Sequence, residues 1–149
     1  MNGEAVTTIE REKKFLKRYK RNKAMIDRLK GKLSALESRI YTVRSPNLSG
    51  MPRGGDPVTA ADLLSDKQEL EDRIKRLTDK GHVYRSEILA RIDELDDPRY
   101  ADVLEAFFID CKNFDEIADE IGFTERHVIR LYSAGVWRLS ELRQEEDAL

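Results

Sequence analysis

Cysteine occurs once in this chain of 149 residues, histidine twice, proline four times and glycine eight times. Cys111 alone excludes an internal disulfide, and with only His82 and His127 beside it no Cys/His zinc cluster can form. No apolar run approaches the ~18 residues of a membrane helix, and the first residues lack the apolar core of a signal peptide. A cytoplasmic location, away from membranes, is therefore expected. The acids Asp93, Glu94, Asp96 and Asp97 lack the alternating spacing and central glycine of a calcium loop. Arg53-Gly-Gly-Asp56 has neither the Gly-x-x-x-x-Gly-Lys spacing of a phosphate loop nor a strand before it, and reads as a turn. No nucleophile is legibly paired with a base. The expectation is a protein that is not an enzyme and carries no cofactor or metal.

What fills the chain instead is charge and helix-forming residues. Charged residues make up 38%, against about 25% in an ordinary domain. Ala, Glu, Lys, Leu and Arg together supply 69 positions, close to the composition of long helices and coiled coils. The formal net charge of −2 conceals segregation. Residues 11–32 hold eleven bases against Glu12 and Asp27, a net of +9, whereas residues 92–121 hold eleven acids against Arg99 and Lys112, a net of −9. Lys13, Lys14, Lys17, Arg18 and Lys20 in the basic arm are candidate secondary phosphate contacts. The same charges also fit a solvated helix face, or an arm packed on the acidic segment.

Residues 1–8 have no periodicity and read as a frayed tail. Phe15, Tyr19, Asn22, Ile26, Leu29, Leu33, Leu36 and Ile40 then alternate at spacings of four and three, the seam of a coiled coil with Asn22 as its one polar position. Residues 44–58 hold three prolines and three glycines and read as a loop. Thr59 can cap a second helix, whose seam runs Leu63, Lys67, Leu70, Ile74, Leu77, Gly81, Tyr84 and Ile88. The frame carries through Gly81, so one continuous helix is expected. Two such seams joined by a loop predict an antiparallel hairpin over 9–96. One narrow seam per helix leaves little core, so a homo-oligomer, at least a dimer, is expected.

Asp97-Pro98 signals a new helix, acid as cap and proline at its first position. Tyr100, Val103, Leu104, Phe107, Phe108 and Cys111 fall on one wide apolar face, with Cys111 as a small buried hydrophobe. Asn113-Phe-Asp-Glu116 has the form of a capping box. In the short helix that follows, Ala118 is small enough for a crossing helix, and Gly122 can take the left-handed turn. Phe123 is expected to plug the core, Thr124 to cap the next helix, Val128 to wedge between the two, and Trp137 to join the core. These spacings predict a helix-turn-helix over 97–143, with a short tail at 144–149. Docked in the major groove, its second helix would present Glu125, Arg126, His127 and Arg130 to base edges, arginine suiting guanine and glutamate the cytosine amino group.

Residues 98–143 resemble region 4 of bacterial sigma factors. The likeness runs through Phe114-Asp-Glu-Ile-Ala-Asp-Glu-Ile-Gly-Phe-Thr-Glu-Arg-His-Val-Ile-Arg-Leu and Val136-Trp-Arg-Leu-Ser-Glu-Leu-Arg143. The whole chain is similar to the small sigma-like regulators of phages and prophages of Gram-positive bacteria, the ArpU/RinA type of late-gene activator. That resemblance implies an all-α protein in the bacterial host cytoplasm, with an N-terminal antiparallel coiled-coil hairpin and a C-terminal helix-turn-helix. It implies binding to double-stranded promoter DNA together with host RNA polymerase. Glu125, Arg126 and Arg130 would then read bases, and Thr124 and His127 would lie near phosphate. The acid–base order at 125–126 is swapped relative to housekeeping sigma factors, so a different target sequence is implied. Gly135 stands where alanine is common, which implies a looser helix. No segment resembles the region that melts the −10 element. Two other classes fit the same pattern: a small-terminase-like protein that recognises phage DNA for packaging, and a structural coiled-coil tether whose acidic end binds protein.

Overall fold

A computed structural model describes residues 2–44 and 59–149. The loop expected at 44–58 lies, from residue 45 on, outside them. The described residues are all-helical and contain no strand. Six helices run in order: α1 (Asn2–Leu16), α2 (Arg18–Arg44), α3 (Ala60–Ile92), α4 (Pro98–Phe108), α5 (Phe114–Ile121) and α6 (Glu125–Asp147). Among them no helix is long and apolar enough to cross a membrane.

The chain packs as two compact units, Met1–Arg21 with Gly81–Leu149, and Asn22–Lys80. This division differs from boundaries at 9, 96 and 143. The first helix starts at Asn2 and packs with the C-terminal helices, and α6 runs on to Asp147. The physical reason is burial. Ile9, Phe15 and Leu16 share one apolar cluster with Ile88, Ile92, Leu104, Phe108, Val136 and Leu139. Glu12, fully buried, adds a polar tie: its Oε1 accepts from Arg91 Nε at 2.9 Å and its Oε2 from Arg143 Nε at 2.6 Å. Arg91 also donates to the backbone oxygen of Leu139 and to Glu94 and Glu146. Burial opposes the charge on Arg91, yet these carboxylates outweigh it and hold its pKa above the ordinary arginine value.

In the second unit only the seam of α2 is covered. From Asn22 to Val43 the exposed positions are all off the seam, while Asn22, Leu29, Leu36 and Ile40 are buried. Asn22 Nδ2 donates to the backbone oxygen of Leu77 at 3.0 Å, Lys67 faces Glu37, and Leu36 and Ile40 cluster with Leu63. These pairs set α2 and α3 antiparallel. Asn22 Oδ1 is buried without a hydrogen-bond partner among the described residues, the cost expected of a polar seam residue that fixes register. Thr59 caps α3, its hydroxyl accepting from Asp62 N at 3.2 Å, and α3 continues unbroken through Gly81.

In the first unit α4 begins as its sequence requires, with Pro98 at its first position and Asp97 accepting from Arg99 N at 2.9 Å. It ends at Phe108, sooner than its apolar period suggests. Cys111 lies beyond it at φ 57°, half-buried, in the left-handed turn that returns Lys112 N to the Ala106 oxygen. The cysteine therefore serves a helix stop, and is no member of the α4 face. Gly135 is used for close packing rather than loosening α6: a Cβ there would stand 3.1 Å from Leu104 Cδ1 and 3.3 Å from Tyr100 Cβ.

Candidate functional site

The predicted site lies where α5 meets α6. Asn113 caps α5, its Oδ1 accepting from Glu116 N at 2.9 Å, and Gly122 ends the helix at φ 79° in the left-handed region. Thr124 then caps α6, its hydroxyl accepting from His127 N at 3.2 Å. Ala118, Ile117, Val128 and Leu131 close over Val103 and Ala106 of α4 in one buried cluster. Around it Phe107, Phe114 and Tyr132 pack ring on ring, with centroids 4.9 to 5.2 Å apart. The caps and the buried wedge fix where the first turn of α6 points.

That turn carries most of the sequence-predicted residues outward. Thr124, Glu125, Arg126 and Arg130 are exposed, and His127 is half-buried. Arg126 and Arg130 make no ion pair or hydrogen bond among the described residues, so their guanidinium groups are available. His127 is engaged with Phe123, ring edge to face at 4.8 Å. Phe123 is 37% exposed and so does not plug the core. Trp137 likewise stands 52% exposed, not buried. Phe123 sits in the turn between α5 and α6, and Trp137 lies about 100° round α6 from the buried Val136.

The basic arm divides. Arg18 is spent within the unit: it pairs with Glu87, donates to the Phe15 oxygen, and lies over the Phe15 and Tyr84 rings. Lys20 sits with its Nζ 3.8 Å from the centroid of Phe107, a cation–π contact. Lys13, Lys14 and Lys17 form no ion pair among the described residues. All five belong to the same compact unit as Thr124–Arg130.

No protein-family model, curated protein or solved structure matches this chain.

Against the bases stand the acids of α5. Asp115, Glu116, Asp119 and Glu120 are all exposed. Lys112 pairs with Glu120 at 2.7 Å. Asp115 and Glu116 in the first turn suit the positive end of the helix dipole. Asp115 has a second effect, invisible in sequence: its hydrogen bond and its charge raise the pKa of Glu125 above the ordinary glutamate value. Two like charges side by side favour the protonated form of Glu125. The folded protein therefore binds that proton more readily than the unfolded chain. The stabilisation it brings is present in acid and is lost as the pH rises through the raised Glu125 pKa. The same proton removes a negative charge beside Arg126, so charge-driven, non-specific binding of a polyanion should tighten as the pH falls through that range. Asp115→Asn should flatten this dependence. Affinity followed across mildly acidic pH, in wild type and variant, checks it; parallel profiles would show that Asp115 is not the cause.

Proposed function

We propose that the protein is a sequence-specific regulator that binds double-stranded DNA through a helix-turn-helix formed by α5 and α6. The observation that carries this reading is the corner itself. It has a left-handed Gly122, side-chain caps on both helices, a buried Ala118–Val128 contact, and two arginines exposed on the first turns of α6 without hydrogen-bond or ion-pair partners among the described residues. Docking such a corner puts the N-terminal turns of the second helix against base edges. Arg126 and Arg130 are then guanine readers and Glu125 accepts from a cytosine amino group, with Thr124 and His127 beside phosphate. Lys13, Lys14 and Lys17 supply further phosphate contacts. In the same reading α2 and α3 form an antiparallel coiled coil through which copies of the chain associate. The sigma region 4 resemblance extends this to promoter binding with host RNA polymerase and late-gene control in a phage or prophage.

Selection from a pool of random duplexes tests the proposal. A defined sequence should emerge, bound far more tightly than random DNA. Replacing Lys13, Lys14 and Lys17 by Gln should lower the slope of log affinity against log salt by about two or more, since each phosphate neutralised contributes about 0.9. The exposed carboxylates of Asp115, Glu116 and Asp119 favour one other reading, an acidic surface for a basic protein. Absence of binding to every duplex at low salt would favour that tether over the regulator.

A further inference from the structure

Val128 and Leu131 set the inward direction of α6. At 3.6 residues per turn, Ile129 then lies about 100° from Val128, about 60° from Arg126 and about 100° from Arg130. It is 40% exposed, on the solvent edge of the helix next to both free arginines. A β-branched side chain is a poor choice for an exposed helical position, and Ile129 belongs to none of the buried clusters or the hydrophobic residues packed on them. In a helix that presents its first turns to the major groove, one chemical group suits such a residue. The 5-methyl of thymine is the only methyl group that the bases display on that side.

We infer that Ile129 is a specificity-determining residue that packs on a thymine methyl beside the bases read by Arg126 and Arg130. This rests on the DNA-binding reading above and adds to it a base that neither arginine can select. Guanine contacts alone would leave such a position unread.

The test uses the duplex selected by the full-length protein, remade with deoxyuridine in place of thymine at each position in turn. This exchange removes a methyl and leaves the hydrogen-bonding edge intact. At one or two positions inside the site the wild type should lose about fourfold in affinity, the worth of one buried methyl group. Ile129→Ala should show the weakened affinity on the thymine duplex and no further loss on the deoxyuridine duplex. Ile129→Val, which keeps a branched apolar surface, should retain most of the discrimination. Ile129 is exposed, so both variants should keep the wild-type circular dichroism. Equal affinity for every deoxyuridine duplex, with selective binding intact, would overturn the inference and leave the DNA-binding reading standing. So would an Ile129→Ala variant that changes sedimentation of the free protein but not its DNA affinity. If no duplex is bound at all, the reading and the inference fall together.

Discussion

Glu12→Ala should destabilise the unit formed by Met1–Arg21 with Gly81–Leu149 by about 3–5 kcal/mol, the usual penalty for removing one partner of a buried ion pair. The carboxylate is fully buried and each of its oxygens accepts from a different arginine. Without it Arg91, itself nearly inaccessible, keeps a charge that Glu94 and Glu146 reach only from the edge of the cluster. The two arginines come from α3 and α6, so the variant should also release α1 from the unit it shares with them. Chemical denaturation measures the loss, and hydrogen exchange along 2–16 shows where it falls. Replacing Glu12, Arg91 and Arg143 together by Met should recover most of the stability, because the network costs desolvation that apolar contacts do not. A Glu12→Ala change within about 0.5 kcal/mol of wild type, the range of an ordinary surface substitution, would mean that α1 is held by Ile9, Phe15 and Leu16 alone.

Glu12 also marks the boundary of what was legible in the sequence. Its neighbours advertise a basic arm, and an isolated acid among eleven bases looks like a minor offset of charge. Its partners lie 79 and 131 residues away, and no local pattern connects them. The same long-range pairing moved the first helix from an expected hairpin into the C-terminal unit. What depended on periodicity and caps was readable. The seam residues are the covered face of α2, and Thr59, Asp97, Asn113 and Thr124 each accept the backbone hydrogen bond that their positions predict. Register and capping are local properties of the chain, so short spacings encode them.

The exposure of the candidate residues was legible in the sequence, but their electrostatics were not. Exposure of Thr124, Glu125, Arg126 and Arg130 follows from one helical phase, set by Val128 and Leu131. The link between Asp115 and Glu125 needs the turn at Gly122 to bring the starts of two helices together. Ile129 lies outside the apolar period of α6, and that same period fixes its angle on the helix. Arg18 and Lys20 looked equivalent to Lys13, Lys14 and Lys17. Only the structure spends the first pair on Glu87 and the Phe107 ring.

Arg126 and Arg130 decide the matter. Both are exposed on the first turns of α6 and neither has a hydrogen-bond or ion-pair partner among the described residues, so truncating either breaks no such bond and should leave the fold intact. A bidentate arginine–guanine pair is worth about 1–3 kcal/mol of discrimination. Arg126→Ala and Arg130→Ala should therefore each weaken the selected duplex by about tenfold or more. Each should relax preference at one base position, and the double variant should approach the affinity of random DNA. Competition titration of the selected duplex against random DNA, for wild type and the three variants, measures this directly. The expected result is a large loss on the selected duplex with a much smaller change on random DNA. Wild-type affinity and selectivity in the double variant would contradict the docking of α6 on which the functional reading stands.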